Sequence, residues 1–355
     1  KFVFVSEASE DSRGLSSFME IDERGHESDS ALPSSVCLNA EKTGISLQAV
    51  NLIDCYLTGR EHAKDDIKLL GCGSYGSVYL AKMRRQTVVI KLFLVGWSDL
   101  ESIVKEARMM SHLQGTKCSP KLLGLVHLET SKTFVNCGLV MEYIGDKMVA
   151  DSNLFDVYWD DCEAYENHTD MVIPRRDWLG ICYRLALAVK KIHEKKVIQN
   201  DIKINNVLLR REERQWMPYV IDFGISVMKS AATPFEMADD RRFEHLAPEL
   251  YTGENVSKKS DIYALGYILG MLSKAFKLHL NDVVKKCMNV VPERRPTADG
   301  LSKITLSLVL EICRRSSMAA MASFSGFRPE STAAVMALMY TSSRSILLAT
   351  GFIAE

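Results

Sequence analysis

The sequence has no excess of charge of either sign, because its 44 Lys and Arg residues almost balance its 45 Asp and Glu residues. Proteins that bind nucleic acid or an anionic membrane surface usually carry a basic excess. The balance gives no support to either partner, and we predict a protein that binds neither nucleic acid nor a membrane.

The chain also lacks a Cys-x-x-Cys pair and a long hydrophobic run. Its nine cysteines, an odd number, are expected to be free thiols of a reducing compartment. The apolar stretch at residues 332–354 is interrupted by Arg344. Its longest clean run is shorter than the ~18–20 residues that a membrane span needs. We therefore predict a cytoplasmic protein.

The 355 residues suffice for one large domain or two smaller ones, and their 47% apolar content is ordinary for a globular protein. Residues 1–43 are rich in Ser, Asp and Glu, which is typical of a disordered segment, and we predict an N-terminal extension over 1–60. The Ala-, Met- and Ser-rich tail, 316–355, has no clear periodicity and is assigned no role.

Between these ends, the periodicity changes once along the chain. Residues 67–95 alternate in short apolar and polar bursts, which predicts three antiparallel strands, and a helix with Leu100, Ile103, Val104 and Ala107 on one face follows. Two further strands are predicted at 122–128 and 134–144. Later segments have helical periodicity, at 177–194, 259–273, 281–289 and 299–313. The fold class is therefore α+β.

Residues 151–170 contain seven acidic residues and neither Lys nor Arg. The simpler interpretation is a solvated insertion loop. The alternative is a docking surface for a basic protein partner, and the sequence leaves both open.

A glycine-rich segment begins the first predicted strands, with Gly71, Gly73 and Gly76 followed by Val78. Such spacing lets backbone N–H groups approach phosphate oxygens, although a plain glycine hairpin would have the same pattern. Lys91 lies fifteen residues after Gly76 in an apolar strand, where its ammonium group needs an anionic partner. Glu106 of the next helix could supply one.

Polar side chains also cluster at the ends of later strands. Asn206 precedes the apolar run 207–209, and Asp222 follows the run 219–221, so a hairpin of these two runs would bring Asn206 and Asp222 together. Their oxygen atoms suit Mg²⁺. We expect Asp201 to stand apart from them and to be able to accept a proton. Taken alone, each residue is also compatible with a simple turn.

Together these residues, with Ala247-Pro248-Glu249, resemble the eukaryotic protein kinase catalytic domain in order and spacing. The resemblance covers about residues 66–313. It implies a two-lobed fold, with an antiparallel five-stranded sheet plus one helix in the N-lobe and hinge, 61–145. A mainly helical C-lobe, 146–315, would include the acidic insert 151–170.

The resemblance also implies a role for each candidate residue. Lys91, fixed by Glu106, would hold the phosphates of ATP, and Asn206 and Asp222 would bind Mg²⁺. Asp201 would take the proton of the substrate hydroxyl, and Lys203 matches the lysine of Ser/Thr kinases. The remaining ATP-binding residues would be the three glycines with Val78, Val89, Met141, Glu142, Ile144 and Leu208. Asp261 would support the catalytic loop, and Glu249 would pair with Arg295.

Two features depart from the family. The family usually has His-Arg-Asp where this chain has Gln199-Asn200-Asp201. In addition, only a handful of residues separate the Asp261 helix from the next one, where protein kinases usually have a further substrate-docking helix. We predict a protein kinase acting on Ser/Thr hydroxyls. The alternatives are a pseudokinase scaffold that binds partners through the acidic insert and tail, and a kinase acting on a small molecule.

The first departure generates a prediction. Asn200 has no charge with which to bind a phosphorylated activation loop, so phosphorylation of this loop should not be the main switch. We expect a variant with Ser226, Ser230 and Thr233 all changed to Ala to retain kinase activity. Loss of activity in that variant, measured as phosphate transfer beside the wild type, would contradict the prediction.

Overall fold

The computed structural model of the chain has an α+β fold in which strands precede the long helices. It describes residues 68–73, 76–83, 86–93, 100–131, 134–145, 153–213, 215–229 and 243–323. The predicted N-terminal extension lies outside the described residues. The described chain divides into a smaller compact unit, 68–100 with 123–140, and a larger one, 101–122 with 141–323.

The smaller unit is built on one five-stranded sheet. Its strands are β1 (Lys68–Gly73), β2 (Gly76–Met83), β3 (Gln86–Phe93), β4 (Leu122–Ser131) and β5 (Phe134–Glu142). They are arranged in the order β1-β2-β3-β5-β4, and β2 is antiparallel to both β1 and β3. All five predicted strands are confirmed.

One face of this sheet carries the apolar cluster of the smaller unit. Ala81 of β2 packs with Val88 and Ile90 of β3 and with Val140 of β5. Since strand residues alternate between faces, the intervening Val89 and Lys91 face the opposite side of β3.

In the described residues, six α-helices follow or interrupt the strands. They are α1 (Leu100–His112), α2 (Leu154–Glu166), α3 (Arg175–Glu194), α4 (Lys258–Phe276), α5 (Asn281–Cys287) and α6 (Ala298–Ser323). Short 3-10 turns lie at Ile204–Asn206, Pro248–Thr252 and Pro292–Arg294. α6 extends eight residues into the predicted tail, and the rest of that tail lies outside the described residues. None of the helices in the described parts is long and apolar enough to cross a membrane.

α3 and α4 supply much of the core of the larger unit. α3 buries more than half of its residues, and its Trp178 ring stacks on Phe276 of α4 with centroids 4.4 Å apart. Ser257 caps α4 by accepting the Ser260 N–H, while the Ser260 side chain accepts the Ser257 N–H. This capping box fixes where α4 begins.

The acidic segment 151–170 is not a loop, so the simpler interpretation of it is wrong. It contains α2, whose first turn is capped by Asn153 accepting the Phe155 N–H at 2.8 Å. Leu154, Val157 and Asp161 are buried at helical spacing. Asp161 tolerates burial because its carboxylate accepts the N–H groups of Val172 and Ile173 at 2.6 and 2.9 Å. Because the acidic Asp161 occupies a buried position where a helix usually has an apolar residue, the sequence did not show a helical periodicity here.

The connection between α4 and α5 is as short as predicted, since only residues 277–280 separate them. Two of these residues, Lys277 and His279, have left-handed backbones with φ of 50° and 57°. Arg175 of α3 donates to the carbonyls of Phe276 and Lys277 at 2.7 and 2.9 Å. The chain therefore turns directly from α4 into α5 around the Arg175 side chain.

Glu249 and Arg295 form the predicted ion pair inside the larger unit. The two guanidinium Nη atoms donate to the two carboxylate oxygens at 2.6 and 2.7 Å. Arg295 also donates to the carbonyls of Asn289 and Lys259 at 2.7 and 3.0 Å, and its side chain is 0% exposed. The pair joins the Pro248–Thr252 turn to α4 and to the turn at Pro292–Arg294.

This burial predicts a large loss of stability in Glu249→Ala, since the variant leaves the guanidinium buried without its counter-charge. We expect the free energy of unfolding to fall by ~3–5 kcal/mol, measured by denaturant titration. The exposed Glu254 offers a matched control, and Glu254→Ala should change it by less than ~0.5 kcal/mol. Equal losses in both variants would show that the pair does not stabilise the fold.

Candidate active site

Two loops of the larger unit lie side by side because their flanking strands pair. The first loop, 199–206, connects β6 (Val197–Ile198) to β7 (Val207–Glu212). The second, 221–226, connects β8 (Gln215–Val220) to β9 (Val227–Met228). β6 pairs with β9, and β7 pairs with β8 in the register Val207↔Val220. The predicted hairpin of 207–209 with 219–221 is thus present, and its strands are longer than predicted.

The first loop carries a compact polar cluster. The Lys203 Nζ lies 2.8 Å from the Asp201 Oδ2. Asn206 donates through its Nδ2 to the same oxygen at 2.8 Å and to the Asp201 carbonyl at 2.9 Å. The expectation that Asp201 stands apart is therefore wrong with respect to Asn206, because the loop ends in a 3-10 turn that folds Asn206 back onto it.

The environment of Asp201 favours its protonated form more than water does. Burial of the carboxyl raises its pKa above the ordinary value, the ammonium group of Lys203 lowers it in part, and the carboxylate of Asp222 raises it. The net shift is upward. This carboxyl consequently holds a proton more readily than an exposed aspartate.

Asp222 begins the second loop in a left-handed backbone conformation, with φ of 63°. The Ile221 N–H before it donates to the Asn206 carbonyl at 2.9 Å, which joins the two loops. Phe223 is fully buried. A Cβ on Gly224 would lie 3.4 Å from the Asp222 Oδ1 and 3.5 Å from the Glu106 Oε2, so the carboxylate of Glu106 reaches this turn.

The oxygen atoms around this pair of loops are chemically suitable for Mg²⁺. Both Nδ2 bonds of Asn206 go to Asp201, which leaves the amide oxygen for a cation. Asp222 adds a carboxylate close enough to influence the pKa of Asp201. Within the part of the chain that the structure describes, no three His, Cys, Asp or Glu residues form a metal site. Mg²⁺ commonly takes one or two protein ligands together with substrate phosphates, so the donors fit that ion.

Asp261, at the first turn of α4, holds the first loop in place as predicted. It is 2% exposed, and its carboxylate accepts the backbone N–H groups of Gln199 and Asn200, each at 2.9 Å. It also lies 2.9 Å from the Nε2 of His193, near the end of α3. His193 was not among the predicted residues, because a histidine near the end of a helix carries no distinctive signal in the sequence.

The glycine segment lies in β1 and β2 of the smaller unit, which pair with Gly73 opposite Gly76. Gly76 has φ of 154°, and a Cβ there would lie 1.9 Å from the Leu92 carbonyl oxygen. A side chain at this position would therefore prevent β2 from pairing with β3. Val78 is the direct partner of Lys91, so both side chains lie on the face opposite the apolar cluster, together with Val89.

Residues 139–144, the predicted hinge, contain four buried residues, Leu139, Val140, Met141 and Ile144. Between them, Glu142 accepts a bond from the Arg210 Nη1 at 2.6 Å, and Arg210 also donates to Glu212. Arg210 was not predicted either, since in the sequence it looks like an ordinary polar strand residue. Leu208 lies two positions before it and alternates with the buried Val207 and Leu209, so its half-buried side chain faces away from their core.

One residue considered for phosphorylation is inaccessible. Ser226 is fully buried, and its Oγ donates to the Gln199 carbonyl at 2.9 Å. Ser230 and Thr233 lie outside the described residues. The predicted Lys91–Glu106 pair remains a prediction.

Comparison with known proteins identifies similar chains. Residues 65–279 match the protein kinase domain family. The chain is 28% identical over 211 residues to the leaf rust 10 disease-resistance locus receptor-like protein kinase-like 1.1 of Arabidopsis thaliana, covering 57% of this chain and 30% of that protein. It is 26% identical over 238 residues to stress-activated protein kinase alpha of Dictyostelium discoideum, covering 63% and 31%.

A third relative, serine/threonine-protein kinase 4 homolog B of Dictyostelium discoideum, is 28% identical over 203 residues, which are 57% of this chain and 16% of that protein. The chain thus spans less than a third of the length of each of these three relatives.

Proposed function

The chain belongs to the protein kinase domain family, and on that premise we propose that it transfers the γ-phosphoryl group of ATP to Ser or Thr hydroxyls of proteins. The arrangement of Asp201, Lys203 and Asn206 is the observation that carries this proposal. In this one loop, the ammonium Nζ of Lys203 and the amide Nδ2 of Asn206 each lie 2.8 Å from the carboxylate Oδ2 of Asp201.

In this mechanism Asp201 accepts the proton of the attacking hydroxyl. Its carboxylate is oriented by the amide of Asn206 and neutralised by Lys203, while its backbone is tied to the loop by the Asn206 amide. A base held in this way is aligned before the substrate arrives, which supports general-base catalysis. Lys203 would also offset the negative charge of the phosphoryl group during its transfer.

The ATP contacts that we propose are those that the family resemblance implies. Lys91 would contact the α- and β-phosphates with Glu106 as its partner, and backbone N–H groups at Gly71, Gly73 and Gly76 would cover them. The adenine would contact Val78, Val89, Met141, Leu208 and the backbone of Glu142 and Ile144. Support comes from the shared face of Val78, Val89 and Lys91 and from the bond that fixes Glu142 to Arg210.

Asn206 and Asp222 would hold Mg²⁺, which when bound neutralises the phosphates and orients them. The chain itself supplies the loop geometry that brings these two residues together, through the bond from the Ile221 N–H to the Asn206 carbonyl. This bond is made by backbone atoms.

A basic protein partner at 151–170 and a cytoplasmic location remain predictions. The segment forms an acidic helix whose Trp159 is 54% exposed, which supports contact with a cationic partner. If the chain is a scaffold rather than an enzyme, this helix is the first surface to test for partner binding.

The proposal predicts that Asp201→Asn in the full chain reduces turnover by ~10²–10⁴-fold while ATP still binds. Transfer of labelled γ-phosphate to the protein itself or to a generic protein acceptor would be measured, with Lys91→Met as a second inactive variant. Asp282→Asn, an exposed change on α5, should behave as wild type.

Wild-type turnover in Asp201→Asn would disprove the role given to that residue. Binding of ATP without transfer by the wild type would favour the scaffold. If no protein acceptor is phosphorylated, a small-molecule substrate is favoured. Phosphotyrosine in the product would contradict the Ser/Thr assignment.

A second prediction concerns pH. A general base must be deprotonated, so kcat falls as the pH drops through the pKa of Asp201. Burial raises that pKa and Lys203 lowers it. Lys203→Met should therefore move the acidic limb of the plot of kcat against pH to higher pH. It should also reduce the maximal kcat. Lys303→Met, at an exposed position of α6, should leave the limb in place. If the acidic limb of Lys203→Met stays in place or moves to lower pH, the electrostatic coupling between Lys203 and Asp201 is ruled out.

A further inference from the structure

Four lysines of the larger unit lie close together where α3 ends, and we call them the lysine cluster: Lys195, Lys196, Lys229 and Lys258. The first two directly follow α3, whose last residue is Glu194. The His193 carbonyl accepts both the Lys196 N–H, at 3.0 Å, and the ammonium group of Lys258. The Lys229 N–H donates to the Lys196 carbonyl at 2.8 Å. These bonds bring lysines from three separate segments onto one surface.

The positive charge of the lysine cluster is not balanced by the acids that face it. Lys195, Lys196 and Lys229 are exposed, and none of them forms an ion pair within the described residues. Burial lowers the pKa of Lys258, and so do the charges of Lys229 and Lys196. Two acids oppose this effect. Asp261 is already engaged by the N–H groups of the first loop, and Glu194 lies 3.8 Å from Lys190. The surface therefore attracts an anionic partner.

The near-neutral charge of the whole chain results from two parts of opposite charge. Residues 1–60 contain ten acidic and five basic residues, so the rest of the chain contains 35 acidic and 39 basic ones. The acids of the first part are concentrated in residues 7–29, where eight of them accompany two arginines. The other acidic segment, 151–170, is held within the larger unit by the buried Leu154 and Val157 of α2. The segment 7–29 is thus the part of the chain whose charge complements the lysine cluster.

We propose that the segment 7–29 docks on the lysine cluster of the same chain. The stretch of chain between Asp29 and Lys68 can span more than ~100 Å when extended, so its length permits the contact. A tethered segment has an effective concentration of about 1 mM, and several weak ion pairs then suffice to keep it bound. Lys196 directly precedes β6 and Lys229 directly follows β9, so the bound segment would bridge the ends of this strand pair. This inference does not depend on the proposed function.

Carbodiimide cross-linking of the full chain tests the contact, because this reagent joins a carboxylate to an amine only when the two groups meet. The linked residues are identified by mass spectrometry. In about 50 mM salt we expect links from the acids of 7–29 to Lys195, Lys196 or Lys229. In about 500 mM salt these links should be lost, since salt screens charges at a surface. Mixing isotope-labelled and unlabelled chains shows whether a link joins residues of one chain or of two.

Exchange of charges tests whether their sign determines the contact. Changing Glu20, Asp22 and Glu23 together to Lys cancels the acidic excess of 7–29 and leaves the sequence of the larger unit unaltered. The links to the lysine cluster should then be lost. Adding Lys195→Glu and Lys229→Glu to this variant should restore links between the two sites, because each charge has then been exchanged for its opposite.

Lys285 and Lys286 of α5 provide the matched control, because they too are adjacent, exposed lysines of the larger unit. Lys285→Glu combined with Lys286→Glu should leave the wild-type links to the lysine cluster unchanged. The proposal is overturned if the wild type forms no links to the cluster, links 7–29 equally to the α5 pair, or forms links only between two chains. None of these measurements requires kinase activity, so they distinguish failure of this proposal from failure of the proposed function.

Discussion

The carboxylate of Asp261 accepts three N–H groups in the interior of the larger unit, and the geometry of the candidate active site depends on it. A buried carboxylate is stable only when its oxygens are hydrogen-bonded, so the backbone of Gln199 and Asn200 and the ring of His193 cannot leave it at low cost. Its place in the first turn of α4 adds the favourable field of a helix N-terminus. The loop that carries Asp201 is thereby anchored to the most buried helices.

This anchoring explains how the chain tolerates Gln199 and Asn200 at the positions where the family pattern usually has His and Arg. Asp261 binds the backbone N–H groups of both positions, and every residue except proline supplies such a group. The side chains are then free to differ. The amide of Gln199 joins the two loops, whereas the Oδ1 of Asn200 has no hydrogen-bond partner within the described structure.

Three acidic residues of this molecule have different roles, and the groups that surround each one determine its role. Asp161 and Asp201 are both carboxylates whose pKa burial raises. Asp161 accepts backbone N–H groups and attaches residues 172–173 to α2, while Asp201 contacts a lysine and an amide within one loop. Glu249 pairs with Arg295 and serves stability. Composition cannot distinguish these three acids, since their partners lie 11, 2 and 46 residues away.

Local sequence determined the strands, the glycine hairpin and most helix positions, because periodicity and turn residues act over a few residues. The order of Gly76, Lys91, Asp201, Asn206 and Asp222 was likewise enough to indicate the family. Tertiary structure decided what periodicity could not express. The helix at Leu154–Glu166 depends on backbone partners for a buried acid. The contact of Asn206 with Asp201 depends on a 3-10 turn. Arg210 and His193 each act through a partner that lies 68 positions away in the sequence. Folding brings such distant partners together only when the whole core forms.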